Sequence, residues 1–263
     1  MGYGDIISNE LLARRYMINN SDLHSALRIL ELRTKVYDLH LKQINLGCYS
    51  RIEELRALDH KMYMLYKSIT KYDFPSKVKA GNTLLVGEGN LSFTISLINK
   101  LKFLPNLITS TYQNYSELSE QALLNAGLLK QSGIKVLHRL DATKLHKNFR
   151  SNTFDTIIFQ FPHSGSREGI NGVNASYVLV KKFITSAFSI LKRAGVVLIT
   201  VVDSDYYKNM FRFEKLSDEL GITRPIKYKF NPKDYPEYVH TMTHQDDSAI
   251  ENYSKFATYE FKI

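Results

Sequence analysis

From residue 82 onward, short runs of apolar residues alternate with stretches of helical periodicity, and no other feature of the chain restricts its fold as much. "TLLVGEG" leads into a predicted helix near 91–102, "LITSTY" into one near 116–130, "FDTIIFQFP" into one near 175–192 and "GVVLITVV" into one near 206–220. "IKVLHRLDA" is followed by only a short polar connection. Strands that are apolar at every position are buried on both faces, and their alternation with helices builds a parallel sheet covered on both sides. Two later runs, near 226–230 and 256–262, lack a full helix between them and are expected to pair antiparallel at one edge.

The first 75 residues follow a different pattern. Leu23, Leu27, Leu30, Thr34, Tyr37, Leu41 and Ile44 are spaced 4-3-4-3-4-3, which puts them on one helix face, and Leu55, Leu58, Met62, Leu65 and Ile69 repeat that spacing. Gly47 suits the end of the first helix and Pro75 stops the second. The expected organisation is an N-terminal helical region over 1–75, with a hairpin over about 22–71, and an α/β domain over 76–263. The α/β part has the layout of a class I methyltransferase-like Rossmann fold, a mostly parallel sheet with an antiparallel edge strand. The hairpin face either covers its neighbours or joins two copies of the chain as a homodimer.

Charge is informative about partners rather than fold. Residues 1–75 hold 11 Lys/Arg and 9 Asp/Glu, so +7 of the net +9 belongs to the remainder. That excess suits an anionic partner such as RNA. The single cysteine, Cys48, excludes an intrachain disulfide and a cysteine-built zinc site. No window approaches the roughly 20 apolar residues of a membrane span, and the first residues do not read as a secretory signal. An intracellular protein without membrane partners is expected, cytoplasmic or, in a eukaryote, nuclear or nucleolar.

In an open α/β sheet, ligands bind beyond the carboxyl ends of the strands. Gly87 and Gly89 would let a ligand approach the backbone there, and the next helix begins with free N–H groups. Glu88 between them disfavours a phosphate and suits a cation, and no Lys-Ser or Lys-Thr of a phosphate-binding loop follows. No G-x-S-x-G elbow of a hydrolase is present either.

Five segments in order carry a more specific resemblance: "LLVGEGNLSF", "TSTYQN", "LDATKL", "FDTIIFQFPHSG" and "YPEYVHTMT". Together they resemble the Rossmann-like domain of the large-subunit rRNA (uridine-N3)-methyltransferases. The resemblance implies an S-adenosyl-L-methionine-dependent class I methyltransferase acting on RNA such as rRNA. It implies cofactor contacts at Gly87, Glu88, Gly89, Asn90, Ser92 and Phe93, at Tyr112 and Gln113, and at Asp141 and Ala142. Gln160, Phe161, Pro162 and His163 occupy the catalytic segment, where a rigid strand end steers a planar base toward the methyl donor. Tyr235, Tyr238 and His240 fall to the substrate side, suited to stacking and reading a flipped base.

Three positions depart from the family pattern. Asn90 stands for an acid, Gln113 for the acid expected on the ribose, and Gln160 for the Asn of Asn-Phe-Pro-His. These departures leave two other readings open: transfer of a methyl or aminocarboxypropyl group to a small molecule, or a non-catalytic module binding the cofactor and RNA. His240 and His244 have a zinc-like spacing but no third ligand nearby, and no metal is expected. Lys181, Lys182, Lys192 and Arg193 are candidates for phosphate contact, and Asp203 and Asp205 lie beyond the fifth strand as active-site or helix-capping acids.

Overall fold

The computed structural model describes residues 20–47, 49–69, 77–78, 81–102, 106–165, 169–170, 172–240 and 253–262. The chain divides into two compact units, Met1–Asp73 and Phe74–Ile263.

In the first unit, α1 (Asn20–Asn45) and α2 (Ile52–Ile69) form a helical hairpin through a short 3-10 turn at Tyr49–Arg51. Gly47 takes the left-handed conformation that ends α1. The buried face is not the one expected from the 4-3 spacing. Ala26, Ile29, Leu30, Arg33, Ile52 and Tyr66 are buried, whereas Leu27, Tyr37, Leu41, Ile44, Leu58 and Leu65 are exposed. The seam combines an apolar cluster of Ala26, Ile29, Leu30 and Tyr66 with a polar pair. The Arg33 guanidinium donates to both carboxylate oxygens of Asp59 (2.7 and 3.1 Å) and lies 4.9 Å above the Tyr63 ring.

The second unit is a seven-stranded sheet in the order β3-β2-β1-β4-β7-β9-β8. Strands β1 (Thr83–Val86), β2 (Leu107–Ser110), β3 (Lys135–Leu137), β4 (Phe154–Gln160) and β7 (Leu191–Val202) run parallel. β5 (Gly169–Ile170) and β6 (Val173–Asn174) make a separate small hairpin. The expected edge pair is β8 (Ile226–Phe230) with β9 (Phe256–Phe261), where β9 is inserted between β7 and β8 and antiparallel to both. Helices α3 (Ser92–Leu101), α4 (Glu120–Gln131), α5 (Ala175–Ile190), α6 (Asp205–Phe211) and α7 (Phe213–Leu220) complete the α/β class I methyltransferase-like Rossmann fold.

Register explains why the central runs contain no polar alternation. Leu84 and Val86 stand beside Ile157 and Phe159, which in turn stand beside Val197 and Ile199. These six share one core with Val180, Phe183, Ile184 and Ala187 of α5. The opposite parity, Leu85, Ile158 and Leu198, is equally buried, so both sheet faces are covered. The single helix expected over 206–220 breaks at Arg212, whose φ is 44°. The break lets the buried Phe211 and Phe213 rings stack at 5.3 Å and 3°.

The turn after β1 depends on Gly87. Its φ is +69°, and a Cβ there would lie 2.5 Å from the Phe159 ring on the adjacent strand. Strain and overlap add, because an L residue disfavours this conformation and the central strand holding Phe159 cannot retreat. Gly87→Ala is expected to destabilise the domain by about 2 kcal/mol or more, read as a lowered midpoint of denaturant unfolding at unchanged slope.

Candidate active site

The ends of β1, β2, β3 and β4 lie together at one edge of the sheet, and the segment 231–240 closes over that edge. Beyond Gly87, the Glu88 N–H donates to the Ser110 carbonyl of β2 (2.9 Å), while the Glu88 side chain turns back under α3. Its Oε2 accepts from the Thr94 N–H (3.1 Å) and hydroxyl (3.2 Å), and Thr94 reaches Thr109 at 2.9 Å. Burial raises the Glu88 carboxyl to about 7, with the Thr94 bonds only partly opposing the shift. Among the described residues it has no cationic partner.

Asn90 and Ser92 act as a latch. The Asn90 Oδ1 accepts from the Ser92 N–H, its Nδ2 donates to the Val239 carbonyl (3.0 Å), and the Ser92 hydroxyl donates to that same carbonyl (2.9 Å). A carboxylate at position 90 has no donor for Val239, which accounts physically for the amide in place of an acid. The helix start is accordingly not free as expected: the Ser92 and Thr94 N–H groups are taken by Asn90 and Glu88. Phe93 is fully buried, its ring 4.9 Å from Tyr235 and 5.3 Å from Tyr238, so it supports the turn from behind.

At the end of β2, Tyr112 and Gln113 are exposed, and the Gln113 carbonyl accepts from Arg139 N–H (3.0 Å), tying the β2 and β3 ends together. Asp141, beyond β3, accepts from the Thr143 N–H (2.9 Å) and hydroxyl (2.6 Å) and pairs with Lys144. Burial opposes its ionisation, but Thr143 and the Lys144 ammonium outweigh that and hold its carboxyl below the usual range. Ala142 is buried beside it.

The end of β4 is strained. Phe161 has φ 48°, a left-handed conformation uncommon for an aromatic residue, and its N–H is fixed to the Thr200 carbonyl at 2.8 Å. Just before it, Gln160 is 8% exposed, and neither its amide nitrogen nor its oxygen has a hydrogen-bond partner among the described residues. The Phe161 ring meets Tyr238 (6.3 Å, stacked) and His240 (5.1 Å, edge-on). The Tyr238 hydroxyl is 3.0 Å from His240 Nδ1. Burial and then the neighbouring His163 depress His240 to about 4, and burial with Glu88 nearby raises Tyr238 well above its usual range, so both are neutral near pH 7. Pro162 is buried; His163 is exposed, and its Nδ1 accepts the Gly165 N–H at 3.0 Å. That bond puts the proton of a neutral His163 ring on Nε2.

Two other sequence candidates are placed differently. Tyr235 is 3% exposed and stacks on Phe230 at 5.4 Å, so it anchors the segment instead of facing a ligand. Lys192 pairs with Asp155 near the opposite end of β4. His244 lies outside the described residues, so the zinc-like spacing has no geometry to judge. Residues that sequence reasoning missed are Thr94, Thr109 and the Val239 backbone; the last carries no side-chain signature at all.

These groups fit S-adenosylmethionine. A buried carboxylate without a cation suits a ligand bearing ammonium and sulfonium charge, and Gln113 and Asp141 present polar groups at the next two strand ends for hydroxyl and amino groups.

A family model described as rRNA (uridine-N3-)-methyltransferase BTM5-like matches residues 84–242. An uncharacterized protein of Arabidopsis thaliana is 29% identical over 166 residues, covering 59% of this chain and 79% of that protein. The mouse ferredoxin-fold anticodon-binding domain-containing protein 1 homolog is 35% identical over 122 residues, 45% of this chain and 19% of its own length. Among solved structures, a 30S ribosomal A1408 methyltransferase from an uncultured bacterium aligns with a TM-score of 0.44 at 12% identity, covering 70% of this chain and 88% of that one.

A carboxyl that burial raises to about 7 would make the affinity for a cationic ligand bound beside it pH-dependent. Affinity for S-adenosylmethionine should fall up to about tenfold per unit below pH 7 and level off above it, with about one proton released per binding event at pH 6, measured by calorimetry in buffers of different ionisation enthalpy. For stability, the folded value of about 7 exceeds the unfolded 4.5, so the contribution of Glu88 is fully present below 4.5 and is lost as pH rises through 7. Glu88→Gln should therefore raise the thermal midpoint at pH 8 by the equivalent of about 1–3 kcal/mol, do little at pH 4, and abolish cofactor binding.

Proposed function

The chain belongs to the BMT5-like rRNA (uridine-N3-)-methyltransferase family, class I S-adenosylmethionine-dependent enzymes acting on RNA, and from that premise we propose that Gln160 and the rings around it hold the target uracil. The observation that carries this reading is the buried Gln160 amide without partners. Leaving such a group unpaired costs about 1–3 kcal/mol, which a native fold tolerates where a ligand completes the bonds. The reacting edge of uracil presents carbonyl, N–H and carbonyl in a row, and the Gln160 Nε2–H can donate to a carbonyl beside N3 while leaving N3 itself open to the methyl donor.

When bound, the cofactor supplies an electrophilic methyl group carried on a sulfonium. Glu88, ionised, would balance the charge of its methionine end, Gln113 would take the ribose hydroxyls, and Asp141 would accept from the adenine amino group. Phe161 and Tyr238 provide flat surfaces that orient the uracil ring. The N3 proton would pass to Nε2 of His240, in the tautomer whose Nδ1–H donates to Tyr238, and the negative charge spreading onto the ring carbonyls would be stabilised by Gln160 Nε2–H and His163 Nε2–H. Tyr238 engages His240 Nδ1, so Nε2 is the ring atom of His240 that exchanges protons with the site. With His240 unprotonated above about pH 5, an acidic limb of activity near pH 7 belongs to Glu88.

The test is Gln160→Leu, which keeps the volume and removes the unpaired amide. Turnover on deproteinised large-subunit rRNA should drop by at least roughly 100-fold with cofactor binding unchanged, while the fold gains about 1–3 kcal/mol in denaturant unfolding. A variant that retains full turnover would sink the proposal.

A further inference from the structure

A groove of about 690 Å³ runs along α5, away from the strand ends described above. Its lining extends from Gly172 to Ser189, nearly the length of a 16-residue helix that rises about 24 Å, and its other wall comes from α6, α7 and the residues around Thr143. One end adjoins the catalytic mouth: the Ser164 N–H and hydroxyl contact the Ser176 hydroxyl in the first turn of α5 (3.4 and 3.3 Å), directly after His163. Tyr177, Val178 and Met210 give the groove apolar walls. Cations dominate its charge. Lys181 and Lys215 share the single carboxylate in the lining, Glu219, while Lys182 and Arg212 have no carboxylate partner among the described residues.

We propose that this groove is a track for single-stranded RNA, holding the nucleotides next to the target uridine while the base itself enters the mouth at His163. The inference rests on the function proposed above. Three properties select RNA over other occupants: excess positive charge on an elongated path, apolar surface at Val178 and Met210 for bases between the cations, and continuity with the mouth that receives the base. Backbone binding of this kind is independent of sequence and is screened by salt. The uridine is then selected at Gln160, and the groove sets how much unpaired RNA must flank it.

The experiment compares wild type with Lys182→Glu/Lys215→Glu and the milder Lys182→Ala/Lys215→Ala, all exposed positions, and with Lys130→Glu on α4 as a charge control. Binding of a fluorescein-labelled oligouridylate of about a dozen nucleotides is titrated across salt concentrations, with calorimetric S-adenosylmethionine binding and thermal unfolding recorded for each protein. The groove variants should lose roughly tenfold or more in RNA affinity, and for two phosphate contacts the slope of log affinity against log salt should shrink by about 1.4. Cofactor affinity and unfolding midpoint should stay at wild-type values. Unchanged RNA affinity in both groove variants, or an equal loss in Lys130→Glu, would overturn the proposal. If wild type fails to bind S-adenosylmethionine, the function proposed above falls, and the RNA titration still decides the groove.

Discussion

One carbonyl holds the active-site edge together. The Val239 oxygen accepts from both Asn90 and Ser92, nearly 150 positions earlier, and its N–H donates back to the Ser92 hydroxyl (3.0 Å). It ties the glycine turn directly to the segment bearing Tyr238 and His240. Around the latch, Glu237 accepts from Ser96 and Asn99, and Lys100 lies 4.6 Å above the Tyr235 ring. The glycine turn and the segment bearing Tyr238 and His240 thus share one scaffold, and a change on either is felt by the other.

The same edge concentrates features that work against folding. Glu88 is buried without a cation, Gln160 is buried without partners, and Phe161 holds a left-handed conformation. Each opposes stability by an amount on the order of 1–3 kcal/mol. They persist because β1 and β4 are central strands packed on both faces, where the register leaves little freedom to relax. A ligand with a cationic end and a planar base relieves the first two, so binding recovers what folding leaves unsatisfied.

Much of this was legible in the chain, for reasons of periodicity. The middles of the central strands, such as Ile157, Ile158 and Phe159, are unbroken apolar runs because they are covered twice, and their shortness between turn signals marks them as strands. Strand-end chemistry followed from topology, which put residues 88, 141 and 160 at one edge. Which face of the hairpin is buried could not be read from spacing, because apolar residues line more than one face of α1; Ala26 and the Arg33 side chain lie inside, and Leu27 lies outside. Tyr235 was misread because an aromatic residue packs in a core as readily as it stacks on a base. The latch was invisible, since its acceptor is backbone and its donors are an amide and a hydroxyl that look like any surface residues.

The insertion of β9 between β7 and β8 has a consequence for biosynthesis. β8 pairs only with β9, and the segment carrying Val239 hangs from β8, so the order of the sheet and the order of the chain disagree. A nascent chain can assemble β1 to β7 as it emerges, but β8 finds no neighbour until residues 256–261 follow it. Closure of the glycine turn by Val239 therefore depends on a strand whose only sheet partner lies still further along the chain.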